Sequence, residues 1–323
     1  MNSSFVDTLN FRHEVGLVEA QIAEWVESCD AEMRPEMRWQ FISGSKYFRP
    51  LTIFSTYRSL VPDVPVPDWL IRCAVVIELF HNMTLVIDDI LDKSTERRGR
   101  DTLHHKFGEL DALMASGYMV AEGYRMLGSD VQAIHLFSEL TKRLGVAECL
   151  QWRLRRQVLG VEDWRHIAAE DTGSMFEICA CLADRSGRLR TFGGLVGLLY
   201  HGCDDVGDVR GTVALGGGGV EDLRDGILTL PAALAIRDPQ VAALFSKEEP
   251  TQDDLQSLSH AFQEQLPQAE AYLDQVVAEA KKEATLFSID PTPLHALIEE
   301  TRKLSDGDKK STSASSNLAS HSL

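Results

Sequence analysis

Apolar side chains recur every three or four residues along most of the chain, the spacing of helices that bury one face. The pattern predicts helices over 73–91, 110–127, 166–182, 189–203 and 253–284, and alternating, strand-like stretches are nearly absent. Breaks fall where turn chemistry places them: the three prolines of 61–67, Gly128-Ser129-Asp130, and the glycine run 216–219. None of these breaks separates two domains. The expectation is an all-α chain with one domain over 5–303. A serine-rich tail over 304–323 carries almost no core-forming residues and reads as disordered.

Composition narrows the classes. With 44% hydrophobic residues the chain can bury a core, which excludes global disorder. A net charge of -17 repels nucleic acid and anionic membranes, so an anionic ligand must be held locally by clustered bases or metals. Cysteines at 29, 73, 149, 179, 181 and 203 form no CxxC pair and no zinc spacing. No basic-then-apolar leader occurs, and no uninterrupted apolar run reaches membrane-spanning length. The chain reads as soluble and cytoplasmic, with no membrane span and no nucleic-acid partner.

Two acidic segments carry the candidate chemistry. Asp88-Asp89-Ile90-Leu91-Asp92 ends an apolar helix, and Asp204-Asp205-Val206-Gly207-Asp208 repeats the DDxxD spacing after a second. On a helix, Asp88 and Asp92 share a face, while Asp89 lies about 100° round. Clustered carboxylates suit Mg²⁺, which takes hard oxygen ligands, retains waters and accepts phosphate oxygens. One such cluster also describes a solvated helix end. Two of them, each following an apolar helix, argue for facing helices that bind metals together. The bases fit this picture: Lys46 and Arg49 stand ahead of a helix, and Arg97-Arg98-Gly99 just after the first motif. Guanidinium groups bind phosphate bidentately. His81, seven residues before Asp88, is placed on the same helical face, towards the same cavity.

These segments resemble the trans-prenyltransferases, the farnesyl and geranylgeranyl diphosphate synthase family, from about Gly44 to Pro231. Thr172-Gly173, Phe176-Glu177 and Asp222-Leu223-Arg224-Asp225-Gly226 with Thr229-Leu230-Pro231 extend the likeness. The resemblance implies a bundle of long antiparallel helices around a deep cavity, a homodimer, three Mg²⁺ ions, and condensation of an allylic diphosphate with isopentenyl diphosphate. It assigns Asp88, Asp89 and Asp92 to two ions, and Asp204, with Asp205 and Asp208, to the third. Lys46, Arg49, His81 and Arg98 take isopentenyl diphosphate, Arg97 the allylic diphosphate, and Thr172 and His201 stand at substrate-binding positions. The loop from Gly207 to Glu221 is a candidate lid or, equally, a passive connector.

The chain departs from the pattern on the allylic side. Lysines are expected at Asp171, at Gly217 or Gly218, and at Ile227, and a glutamine at His201. Three readings follow. The first is a working elongase making products of fifteen or twenty carbons, because Met83 and Thr84, at the length-limiting positions, offer no aromatic stop and Met83 is a deformable plug. The second is a terpene cyclase or a prenyltransferase with another acceptor, and the third a non-catalytic subunit of a heteromeric synthase. Asp171, an acid where a cation is expected, should weaken allylic binding.

Overall fold

The computed structural model describes residues 3–42, 45–211 and 219–306. Its centre is the Asp68–Leu91 helix, which packs on the helices Glu109–Leu127, Arg12–Ser28 and Phe48–Leu60. A second layer pairs Ser174–Ala183 with Arg190–Val209, and the latter rests on Leu266–Phe287. The core runs continuously through both layers, with Trp164, Phe54, Phe80, Phe137, Phe176 and Phe192 wholly buried.

Asp68–Leu91 is long and apolar enough to cross a membrane, but 72% of its most apolar window is buried inside the protein. It is the bundle's core helix, and charged Glu78, Asp88 and Asp89 punctuate it.

Two predicted helices prove to be divided. The 253–284 stretch is Gln252–Glu264 followed by Leu266–Phe287, because Pro267 lacks the N–H that a continuous helix needs and suits a first turn instead. The 166–182 stretch is Val161–Ala168 and Ser174–Ala183, joined by a π-helical turn, Ala169–Gly173, in which Asp171 leaves helical geometry (φ -81°, ψ -105°). The turn's freed carbonyls are satisfied: Arg143 donates to that of Ala169 (3.3 Å) and the Ser174 hydroxyl to that of Asp171 (2.8 Å). Gly197 lets this turn press on Arg190–Val209, and Gly193 does the same for the Ser174–Ala183 helix that follows it. A Cβ at Gly197 would lie 2.7 Å from Gly173 Cα, and one at Gly193 would lie 2.6 Å from the Phe176 carbonyl oxygen.

After the first acidic motif the chain makes a two-residue hairpin, Glu96–Arg97 against Arg100–Asp101. Arg98 (φ 54°) and Gly99 (φ 76°) form its turn, the left-handed pair that matches strand twist. At the C-terminus the domain runs past the predicted limit of 303: Lys303–Asp306 form a 3₁₀ turn, with Leu304 and Ser305 buried. The rest of the expected tail, 307–323, lies outside the described residues.

Candidate active site

The two acidic helices end at one cavity of about 250 Å³. Asp88 and Asp92 line it from the first, and His201, Asp204, Asp205 and Asp208 from the second. Glu148 and Arg155 come from the end of Val131–Leu154 and the residue after it, Asp171 from the π turn, and Asp222 and Asp225 from Gly219–Asp225. Nine carboxylates therefore face Arg97, Arg155 and His201.

That excess shows in the protonation equilibria. Burial, then Glu148 and Asp171, hold the Asp88 carboxyl well above the usual carboxylate range. Burial, with Asp171 and Asp92, pushes Glu148 up to about 7, and burial, with Asp205, pushes Asp204 up to about 6. Asp222 is likewise raised, by burial and then Asp205 and Asp208. A cavity that makes its own carboxylates hard to ionise is one that cations complete. Among the described residues no three His, Cys, Asp or Glu side chains converge tightly enough to cage an ion alone. The donor set is hard oxygen throughout. It fits Mg²⁺ that keeps waters and shares ligand oxygens, not a closed protein cage.

Two predicted ligands are engaged by the fold's own groups. Asp89 lies off the acidic cavity, in a second, smaller one lined also by Arg97, Arg98 and Asn82. There Arg97 Nε donates to Asp89 Oδ1 at 2.7 Å. The 100° step from Asp88 to Asp89 sends neighbouring carboxylates to different cavities. Asp205 lines the acidic cavity, but its Oδ2 accepts from the Trp164 indole (2.8 Å) and the Leu230 amide (2.7 Å). Asp205 thus ties three elements together.

His81 does not line the acidic cavity. It shares a face with Asp88 but lies seven residues deeper, about 10 Å along the helix. Burial, then Arg49, Arg98 and Arg97, drive its pKa well below the ordinary value, so the ring is neutral. Its Nδ1 is buried without a partner. An unpaired buried ring nitrogen beside three guanidinium groups suits an anionic ligand. Arg49 lies over the Phe176 ring at 5.5 Å. Lys46 is near enough to Asp204 to lower the carboxyl's pKa against the effect of burial.

Asp171 is not a bare acid in the allylic region. The hydroxyl of Thr172 donates to Asp171 Oδ2 (3.0 Å) and lies 3.0 Å from His201 Nδ1. Asp171 Oδ2 is itself 3.5 Å from Nδ1, and Asp205 Oδ1 is 3.8 Å from Nε2. Burial alone would neutralise His201. Asp205, Asp171 and Asp204 outweigh it and push the imidazolium's pKa up to about 9. The acid and the imidazole replace the expected lysine and glutamine as a pair, so the cation has moved across the contact rather than disappeared. Gly217 and Gly218, with the rest of 212–218 in the candidate lid, lie outside the described residues, as does Gly44.

Residues 32–264 match the family described as Polyprenyl synthetase, well over half of the chain. The chain belongs to that family. It is a transferase of the trans-prenyl diphosphate synthase class. Nonaprenyl diphosphate synthase of Mycobacterium tuberculosis is 26% identical over 311 residues, spanning 90% of this chain and 92% of that one. Geranylgeranyl diphosphate synthase of Saccharolobus solfataricus is 24% identical over 297 residues, spanning 83% and 89%. The heptaprenyl diphosphate synthase structure from Staphylococcus aureus superposes with a TM-score of 0.82 at 22% identity, covering 92% of this chain and 98% of that one. This likeness shows the all-α isoprenoid synthase fold.

Sequence reading missed Glu148 and Arg155. Their signal is a polar stripe, Glu148, Gln151 and Arg155, at spacings of three and four on an otherwise amphipathic helix.

Proposed function

We propose that this synthase condenses an allylic diphosphate with isopentenyl diphosphate, using about three Mg²⁺ ions, to give a prenyl diphosphate of fifteen or twenty carbons. The observation that carries the reading is the pairing of the acidic cavity with the basic region of Arg49, Arg97, Arg98 and unpaired His81. Asp88, Asp92, Asp204 and Asp208 are the carboxylates for Mg²⁺, whose chemistry there is to stabilise charge on the departing diphosphate. Arg49, Arg98 and His81 hold isopentenyl diphosphate, with His81 donating from one ring nitrogen and accepting at the other. Arg97, fixed by Asp89, stands at both cavities and orients the allylic diphosphate.

We argue the short product from an aromatic cluster, taken as the floor of the prenyl tail's path. Phe80 lies eight residues below Asp88, about 12 Å, and Phe137 eleven below Glu148, about 16 Å. Their ring centroids are 4.9 Å apart, and Tyr124 closes the cluster at 5.6 Å from Phe80.

The proposal includes a homodimer and a cytoplasmic setting. Leu110, Leu113 and Met114 form an exposed apolar stripe, 48–69% accessible, on one side of Glu109–Leu127. Leu113→Glu should then yield a monomer by light scattering. All six cysteines are free thiols, five of them buried, as a reducing compartment maintains.

The test is incubation with Mg²⁺, isopentenyl diphosphate and each allylic diphosphate in turn, followed by product chromatography. Pyrophosphate release without isopentenyl diphosphate would instead favour the cyclase reading. No release under any condition would favour a non-catalytic subunit.

A further inference from the structure

We infer that Arg155 is a further substrate-binding residue, a guanidinium that grips the diphosphate of the allylic substrate. The inference rests on the function proposed above and names a cation that neither the sequence pattern nor the resemblance assigns. Arg155 follows the Val131–Leu154 helix directly and lines the acidic cavity. It stands between Asp92, at the end of the first acidic helix, and Asp225, on the opposite wall.

Its pairing with those acids is loose. Nη2 lies 3.3 Å from Asp92 Oδ1, and Nη1 lies 4.0 Å from Asp225 Oδ2. Neither carboxylate closes the two-pronged contact that a guanidinium makes at full strength. Nε is buried and has no partner at all. A buried N–H without an acceptor is costly, and one beside a cavity built for an anion is readily satisfied by that anion. The guanidinium plane is held in place, with its carbon 3.4 Å from the Trp152 ring centroid. The backbone under it is fixed too, since the Arg156 amide donates to the Gly226 carbonyl (2.9 Å) and the Arg156 side chain to that of Arg224.

The other cations of the cavity are more fully engaged. Arg97 donates Nε to Asp89, outside the acidic cavity, and His201 is enclosed by Asp171, Thr172 and Asp205. Asp171 and Ile227, which line the same walls, offer a diphosphate no positive charge. Arg155 has the planar fork and the unsatisfied donor that phosphate oxygens require. Its present partner Asp92 is one of the carboxylates proposed for Mg²⁺, so the guanidinium and the diphosphate would meet at one edge of the cavity.

The competing account is that Arg155 only braces Asp92 against Asp225. Calorimetric titration of the full chain at fixed Mg²⁺ separates the two, using three probes. These are an allylic thiolodiphosphate, which binds without ionising, isopentenyl diphosphate and inorganic pyrophosphate. Arg155→Gln should weaken the thiolodiphosphate and pyrophosphate tenfold or more, and isopentenyl diphosphate by less than twofold. Arg155→Lys, which keeps the charge and the brace but not the fork, should weaken the first two at least threefold. It also serves if the glutamine variant fails to fold. Asp225→Asn, which removes the brace together with one cavity carboxylate, should leave the allylic probe within twofold or tighten it. Affinity within twofold of wild type in both Arg155 variants would overturn the inference. So would an equal loss in Asp225→Asn, or a loss shared by isopentenyl diphosphate. If wild type binds no thiolodiphosphate, the proposed function itself falls, and this inference with it.

Discussion

His201→Gln installs the residue that the resemblance expects, and it should make the pH dependence of stability change in a defined direction. The imidazolium is 3.5 Å from Asp171, 3.8 Å from Asp205 and mostly buried. Burial opposes its charge, yet Asp205, Asp171 and Asp204 raise its pKa to about 9 from an ordinary 6.5. That difference corresponds to about 3 kcal/mol of preferential proton binding by the folded state. Because the folded pKa is the higher one, the stabilisation is fully present below pH 6.5 and is lost as pH rises through 9. Glutamine has none of it at any pH. In chelator-treated protein, the stability gap between wild type and variant should therefore shrink by about 3 kcal/mol from pH 6 to 9.5. For a domain of this size that is roughly 6 °C in melting temperature. Thermal unfolding across this range, for both proteins, measures it. A gap that stays constant, or that widens with pH, would refute the claim that a charged His201 balances these carboxylates.

Three further outcomes follow from the same geometry. Asp88→Asn and Asp204→Asn should each lower turnover by several orders of magnitude in product assays. At pH 8 without metal, Asp204→Asn should also be the more stable protein, by about 2 kcal/mol in denaturant unfolding, because an ionised Asp204 is disfavoured above its pKa of about 6. Phe137→Ala and Phe80→Ala should lengthen the main product on chromatography, while Met83→Ala lengthens it only if the buried Met83 faces the prenyl tail rather than the neighbouring core. Asp171→Lys alone, which sets an ammonium against the imidazolium, should raise the Michaelis constant for the allylic substrate, and Asp171→Lys with His201→Gln should recover most of the loss.

The last expectation reverses what the bare sequence suggests, and the reason shows where legibility ended. Helix phase was readable: Asp88 and Asp92 do share a cavity with Asp204 and Asp208, as their spacing required. The π turn was not. Ala169-Glu170-Asp171-Thr172-Gly173 contains no proline and is compatible with continuous helix, so the local signal favoured one. The distortion comes with tertiary contact, where Gly197 admits the turn's backbone against the second acidic helix. Only that approach brings Asp171 to His201, thirty residues away in sequence. An acid that looks repulsive by itself is thereby half of an ion pair. Arg155 was hidden for a related reason. Nothing in its neighbours tells that Asp92 and Asp225, both distant in sequence, converge on it.

Consecutive aspartates at 88 and 89 show how one local feature serves two sites. Both are disfavoured as anions by burial, but the surroundings differ in sign. Asp88 faces Glu148 and Asp171, which with burial outweigh Arg97, so its charge is not answered within the fold. Asp89 faces Arg97, so its charge is already answered within the fold. Asp89 does more than neutralise: by holding Nε it leaves the terminal nitrogens of Arg97 directed to the boundary that both cavities share. Replacing Asp89 would therefore act on phosphate binding through the arginine's orientation, whereas replacing Asp88 acts on the charge of the acidic cavity itself. A 100° rotation between neighbours on one helix divides the motif into a carboxylate that lines the acidic cavity and one that holds an arginine.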